Sequence, residues 1–419
     1  MEFREEGEVE PVSPTGQYFN SSILSVAILA VLEFELPIND SQALSLLQDV
    51  FLPINPRFSS IMVSDNVDQK KQWKRVEVKL EDHVHVPIFP PKMSPESYDE
   101  YFDDYISNLA AEKFPQNRPL WEIHILKYPT SHAAGTLIFK LHHALVFQTV
   151  SDFSWSILKS NFVEDDRTPI RSGEDGVEFR PITLSTLTFS IDEIKLIKNK
   201  LGVTTNDVIS GIIFLGTRIY MQEVTQKSSN ARCTALVLLN TRNIEGYMPI
   251  KEMIEPNNDE MSWGNQFGFL HVSVPKSTEI SNPLDFVWEA QKIIKKKRSS
   301  AAGYLTSWLL DVLKKFRGPE GAARYIHGTL KNSSMTISNM IGPVEQMALA
   351  NQPVCGFYYM VVGPPQCLTI TALSYMGKLR VAFGAEKGFI DSHKLKASMQ
   401  NAFGVILEAS YQIPPAKAA

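Results

Sequence analysis

Stretches with the two-residue period of a strand and stretches spaced for a helix follow one another along this chain, which restricts it to layered α/β packing. Ser22 to Leu36 predicts a strand, and Asp40 to Leu52 a helix that buries Leu44, Leu46, Leu47 and Val50. Asn55-Pro56-Arg57-Phe58 turns the chain before a strand over Trp73 to Leu80. A helix over Ser94 to Glu112 then carries Tyr98, Tyr101, Ile106 and Leu109. Strands over Ile123 to Lys127 and Gly135 to Leu141 follow, the second with Leu137, Phe139 and Leu141 on one face of the pleat.

At 419 residues the chain exceeds one ordinary core and suits two domains. Val163 to Gly176 is rich in Asp, Glu, Arg, Ser and Gly, as a surface connection would be. The expected division is therefore a lobe over 1–162, a connection over 163–185 and a second lobe over 186–419. In the second part, Ser190 to Glu193 reads as a capping box, and Gly202 can end that helix in a left-handed conformation. A longer helix starts at Asn206. Strands are expected at Ala235–Asn240, Phe267–Val274, Met335–Ser338, Cys367–Tyr375 and Lys378–Phe383, and Asp391 to Leu407 reads as a closing helix.

Several function classes fall away on composition. A net charge of −5 gives no basic surface for nucleic acid. Three cysteines without CxxC spacing provide neither a disulfide framework nor a zinc site, and fit a cytosol-facing location. The acidic start MEFREEGEVE is unlike a secretory signal. The longest apolar run, Ile23 to Leu32, is closed by Glu33 and Glu35, well short of the roughly 20 residues needed to cross a bilayer. GxSxG, HExxH, P-loop and GxGxxG patterns are all missing from the sequence, which argues against serine hydrolase, zincin and nucleotide-binding chemistry.

His142-His143 ends an apolar strand, where a side chain can enter a cleft. Transfer of an acyl group from a thioester to an alcohol needs a base for the hydroxyl proton, and histidine suits that work near neutral pH. A satisfied histidine at a strand end is the competing reading of this segment alone. Leu141-His142-His143-Ala144-Leu145, preceded by Pro119-Leu120-Trp121-Glu122, resembles the HHxxxDG motif and its upstream PLWE block in plant wax ester synthase/diacylglycerol acyltransferases. Pro56-Arg57-Phe58-Ser59, Asn206-Asp207-Val208, Leu239-Asn240-Thr241-Arg242, Trp263-Gly264-Asn265-Gln266 and Ser338-Asn339-Met340-Ile341-Gly342-Pro343 continue the resemblance in the same order, with a gap around residues 146 to 170.

The resemblance implies a two-lobed CoA-dependent acyltransferase fold of the chloramphenicol acetyltransferase kind. It implies acyl-CoA as co-substrate with no resident cofactor or metal, and a fatty alcohol or diacylglycerol as acceptor. It also implies His143 as base, His142 as a structural neighbour, and Asn265, Gly268, Ser338 and Asn339 as lining or supporting residues. The motif then departs from the family: Phe147 stands where the family has Asp, and Gln148 where it has Gly. The chain passes quickly from Leu145 to Thr149-Val150, as if a helix-and-loop segment were deleted, and an arginine that normally meets the Asp would lose its counter-charge. A catalytically impaired relative that binds acyl-CoA or a partner is the alternative function. Lys292 to Arg298, followed by the amphipathic stretch Tyr304 to Phe316, is a candidate for contact with an anionic membrane surface, or else a core-facing helix beside a solvated charge run. The expected location is peripheral, on the cytosolic side of the endoplasmic reticulum or plasma membrane.

Overall fold

A computed structural model describes residues 10–12, 14–41, 43–64, 71–145, 149–150, 164–240, 266–276, 282–298, 320 and 323–413. The strands are β1 (Glu10–Pro11), β2 (Ala27–Phe34), β3 (Ser60–Ser64), β4 (Lys71–Arg75), β5 (Val84–His85), β6 (Trp121–Leu126), β7 (Gly135–His142) and β8 (Thr149–Val150). They continue with β9 (Ile182–Ser190), β10 (Thr234–Asn240), β11 (Gln266–Ser273), β12 (Met335–Ile341), β13 (Ala348–Leu349), β14 (Gln352–Val362), β15 (Leu368–Tyr375) and β16 (Lys378–Glu386). The helices used below are α1 (Pro14–Phe19), α2 (Ala43–Leu46), α3 (Leu52–Ile54), α4 (Pro95–Ala111), α5 (Ile191–Leu201), α6 (Thr205–Val224), α7 (Asp285–Arg298) and α8 (Ser392–Tyr411).

Two large sheets dominate. One has six strands in the order β13-β14-β2-β7-β6-β5, and the other seven in the order β8-β11-β10-β12-β15-β16-β9. Chain order does not sort the strands cleanly between them. β14, from late in the chain, pairs antiparallel with β2 along its length, while β8 leaves the His143 segment to pair with β11. Each sheet anchors its own apolar core. Ile212, Phe214, Val381, Phe383 and Met399 belong to the core of the seven-stranded sheet, and Leu29, Val31, Trp121 and Ile138 to that of the six-stranded sheet.

Local chemistry accounts for the helix ends. Ser94 caps α4 by accepting from the Ser97 N–H at 3.3 Å, and Pro95 takes a first-turn position where its missing N–H costs nothing. Ser190 caps α5 and Gly202 ends it at φ 67°, as the sequence predicts. The reciprocal capping box is found at α6, where Thr204 Oγ1 accepts from the Asp207 N–H and the Asp207 carboxylate accepts from the Thr204 N–H.

The elements differ from expectation in places. The predicted helix over 40–52 is α2 and α3 joined by a π turn at Leu47–Phe51. The strand predicted over Trp73–Leu80 ends at Arg75, and Leu80–Asp82 forms a 3₁₀ turn. Glu33 follows the apolar run Ile23 to Leu32 within the predicted strand. It lies buried inside β2, and its carboxylate meets the Arg380 guanidinium of β16, which ties the six-stranded sheet to the seven-stranded one. Gly356 makes that possible: a β-bulge falls beside it in β14, and a Cβ there would stand 1.9 Å from Glu33 Oε2.

Candidate active site

His142 is the last residue of β7, and its position is fixed from both sides. Its strand pairs with β2 so that His142 faces Ala27, and its N–H donates to the Leu120 carbonyl at 2.9 Å. The ring is fully buried. Nδ1 accepts from the Ala144 N–H at 3.1 Å, so the ring proton belongs on Nε2, which lies 3.4 Å from Ser25 Oγ. Burial, followed by the nearby Lys71 and Lys140 ammonium groups, pushes its pKa down to about 3. His142 is thus a neutral ring that shapes the turn after β7, with its base nitrogen already engaged.

His143 opens that turn, a 3₁₀ segment over His143–Leu145. Its N–H donates to the Val26 carbonyl at 2.9 Å, and the Phe19 ring approaches edge-on with ring centres 4.6 Å apart. Only 6% of the residue is exposed. Burial, then the neighbouring His142, holds the His143 imidazole well below its ordinary pKa, leaving it in the neutral, proton-accepting form at physiological pH. Phe19 and Val26 belong to a small apolar cluster with Leu24, Leu236, Ile326 and Leu330, which draws on both sheets and on helical residues 323–331. β8, only a few residues further on, has already joined the seven-stranded sheet. His143 therefore sits where the chain crosses from one sheet to the other.

The remaining sequence-predicted residues are placed unevenly. Gly268 lies within β11 opposite Leu239 of β10, and the start of the same strand pairs with β8. Ser338 and Asn339 are on β12. Ser338 Oγ shares a 2.8 Å hydrogen bond with the buried Tyr359 hydroxyl of β14, and Asn339 Nδ2 donates to Asn206 Oδ1 at 3.3 Å. These two side chains thus brace β12 against β14 and α6. Asn265, Phe147 and Gln148 lie outside the described residues, as does the whole of the stretch Tyr304 to Phe316. Among the described residues, buried Arg171 reaches Glu164 and the carbonyls of Asp165 and Lys331, and buried Arg218 reaches the carbonyls of Pro275, Ala231 and Val274.

A second polar group lies on β5, β6 and β7. Ligand atoms of His85, Glu122 and His124 lie within 4.8 Å of one another, a spacing that could hold a metal ion. The Glu122 charge is already compensated, by Arg118 at 2.8 Å and Lys140 at 3.6 Å. Burial alone would raise the Glu122 pKa, but His124, Lys140 and Arg118 together overcome it and pull the group down to about 2. Tyr105 hydroxyl and His124 Nδ1 are 2.6 Å apart. The sequence signal for this network was the Glu122 and His124 alternation within an otherwise apolar strand, which places both on one face.

The alternation of sheets, with a histidine at the crossing, defines an α/β fold related to that of CoA-dependent acyltransferases. The acyltransferase from Marinobacter aquaeolei VT8, a wax ester synthase/diacylglycerol acyltransferase, superposes with a TM-score of 0.60 over 96% of this chain and 100% of that one, at 14% identity. The first condensation domain of the CDA synthetase gives 0.57 over 99% of each chain at 11% identity. Identities this low speak to the fold alone.

Sequence relationships carry the classification further. Residues 263–406 match the WS/DGAT C-terminal domain. Wax ester synthase/diacylglycerol acyltransferase 4 of Arabidopsis thaliana is 28% identical, covering 93% of this chain and 88% of the relative. Wax ester synthase/diacylglycerol acyltransferase 11 of the same plant is 26% identical over 94% and 93%. The chain is thus similar along most of its length to plant wax ester synthase/diacylglycerol acyltransferases, and over residues 263–406 to the WS/DGAT C-terminal domain. The first alignment spans 466 positions, more than the 419 residues of this chain, so that relative carries residues which this chain lacks.

Proposed function

We propose that the chain is an acyl-CoA-dependent O-acyltransferase that moves a long acyl group to a fatty alcohol or to diacylglycerol, with His143 as general base. The observation that carries this reading is a buried imidazole just after β7, where the chain passes between the sheets, in a chain similar to the wax ester synthase/diacylglycerol acyltransferases. His143 takes the hydroxyl proton of the acceptor as its oxygen attacks the thioester carbonyl. The tetrahedral intermediate collapses, the C–S bond breaks, and the imidazolium returns its proton to the departing CoA sulfur. His142 holds the turn through Ala144 and needs no proton exchange of its own. Asn265, Gly268, Ser338 and Asn339 line or support the cleft, between lobes spanning 1–162 and 186–419 and joined through 163–185.

No helix among the described residues is long and apolar enough to cross a membrane. The reading includes peripheral attachment to the cytosolic face of the endoplasmic reticulum or plasma membrane. α7 supports it by burying Val287, Ala290 and Ile294 while Lys292, Lys295 and Lys296 stand on its remaining surface. A second reading, an impaired relative that retains acyl-CoA or partner binding, is favoured by the near-complete burial of His143 against Phe19 and by Phe147 and Gln148 in the motif. Purified protein assayed with labelled long-chain acyl-CoA and each acceptor separates the two. Under the first reading His143→Ala lowers turnover about 100-fold or more with the fold retained. Product formed at the wild-type rate by that variant refutes the base assignment, and binding of acyl-CoA without product from the wild type favours the second reading.

A further inference from the structure

The segment α2–π turn–α3 stands off the six-stranded sheet. Of its residues only Leu47 is buried, although the sheet beneath it presents an apolar face. Between them lies a cavity of about 200 Å³ with Ile123, Ile125, Leu137 and Phe139 as floor and Leu47 and Phe51 as roof. A closed apolar cavity of about 150 Å³ takes up apolar guests. This one is of similar size but open on the side of Asn39 and Val50, so a chain can enter it.

Its few polar neighbours, Asn39, Asp40 and Gln352, are engaged with protein. Asp40 pairs with Lys127 at 2.7 Å, and the Gln352 side chain donates to the Pro37 carbonyl and accepts from the Asn39 N–H. The rest of the lining is apolar side chain, which offers more to hydrocarbon than to a peptide backbone, a sugar or a head group. What fits is unbranched hydrocarbon.

Position favours a chain whose head is elsewhere. Phe139 precedes His143 by four residues, about 14 Å along an extended strand, so a carbonyl held at His143 leaves a short acyl group outside the cavity and lets only a long one reach it. The π turn adds a reason for the gap: five residues wound as Leu47–Phe51 widen the helix and break its ridge packing against the sheet. We infer that this cavity is a hydrocarbon-chain site that takes the distal part of a long acyl or alkyl chain; the link to His143 rests on the acyl-transfer reading above, while the site itself does not.

The full chain is incubated with palmitic acid carrying a diazirine at its ω end, irradiated, and the labelled peptides are mapped by mass spectrometry. Label is expected on residues 43–54 or 121–139 and is expected to fall at least fivefold in Leu47→Trp, which fills the roof. Ala43→Phe, at the more open end, gives the same loss with less burden on folding, and unfolding midpoints accompany both. Octanoic acid bearing the same label should mark these peptides far less, since each methylene in an apolar site is worth about fourfold in affinity. Labelling elsewhere in the chain, or labelling here that neither variant diminishes, overturns the assignment. His143→Ala should keep the label while losing turnover. Loss of the label with turnover intact in the wild type removes the site and leaves the acyl-transfer reading standing, and the reverse outcome does the opposite.

Discussion

Removal of the Glu33 carboxylate tests whether the two sheets are held together electrostatically. Glu33 in β2 and Arg380 in β16 form a direct ion pair whose side chains are only 9% and 15% exposed. Arg380 also lies over the Tyr358 ring, 5.3 Å from its centre. Burial raises the Glu33 pKa, and Arg380 opposes that rise. Such a pair adds little over a well-packed apolar substitute, but breaking it from one side leaves a buried charge alone, at about 3–5 kcal/mol. Because Arg380 keeps some solvent contact, the low end applies, about 3 kcal/mol for Glu33→Gln. The assay is a double-mutant cycle of Glu33→Gln, Arg380→Leu and the pair, with urea unfolding followed by tryptophan fluorescence. The double variant should recover at least half of the single-variant loss. Gly356→Ala should mimic Glu33→Gln, since its Cβ would occupy the position of the Glu33 carboxylate. A coupling energy below about 1 kcal/mol refutes the argument.

Other consequences are open to simple measurement. His142 and His143 both have depressed pKa values in the folded protein, so they bind protons less readily there than when unfolded, and stability is lost as pH falls below the unfolded value near 6.5. Replacing His143 with Leu should flatten the fall in unfolding free energy between pH 6 and 5 by about 1.4 kcal/mol per pH unit; an unchanged slope contradicts the burial assigned to the ring. The acid limb of any pH–rate profile should lie below pH 6.5 for the same reason. Gly211→Ala should cost about 1–3 kcal/mol by overpacking, because its Cβ would stand 2.8 Å from Val287 Cα on α7. Alkaline carbonate should strip the protein from membranes, and retention after that wash would contradict peripheral attachment. Restoring Asp at 147, Gly at 148 and the segment that relatives carry should raise turnover well above that of this chain, with equal rates removing the role given to the Asp and Gly.

Much of this architecture can be read from local pattern. β7 alternates cleanly because one face meets the core of its sheet, and the polar positions that interrupt its other face, Lys140 and His142, are the ones that form contacts. α4, α5 and α6 announce their ends with Ser94, Ser190 and Thr204. β14 was missed for a physical reason. It is packed between the sheets, and its bulge at Gly356 interrupts the period, so the run QPVCGFYYMVV shows no alternation to recognise. The role of Glu33 could not be read from the sequence, because its partner Arg380 lies 347 residues away. The histidine pair was legible as chemistry, but the fixed tautomer of His142 comes from the Ala144 N–H and Ser25, which only the fold brings to it.

The late arrival of β14 has a consequence for how this protein is made. Until residues 352–362 leave the ribosome, β2 has an open edge of unpaired amide and carbonyl groups along eight apolar-rich residues, although β7 has long been available on its other side. The early part of the chain therefore waits through most of translation with a sticky strand exposed, a state that invites pairing with neighbouring nascent chains. A product truncated before residue 352 should accumulate in aggregates however well its own helices form, and a synthetic peptide spanning β14 supplied during refolding should rescue it.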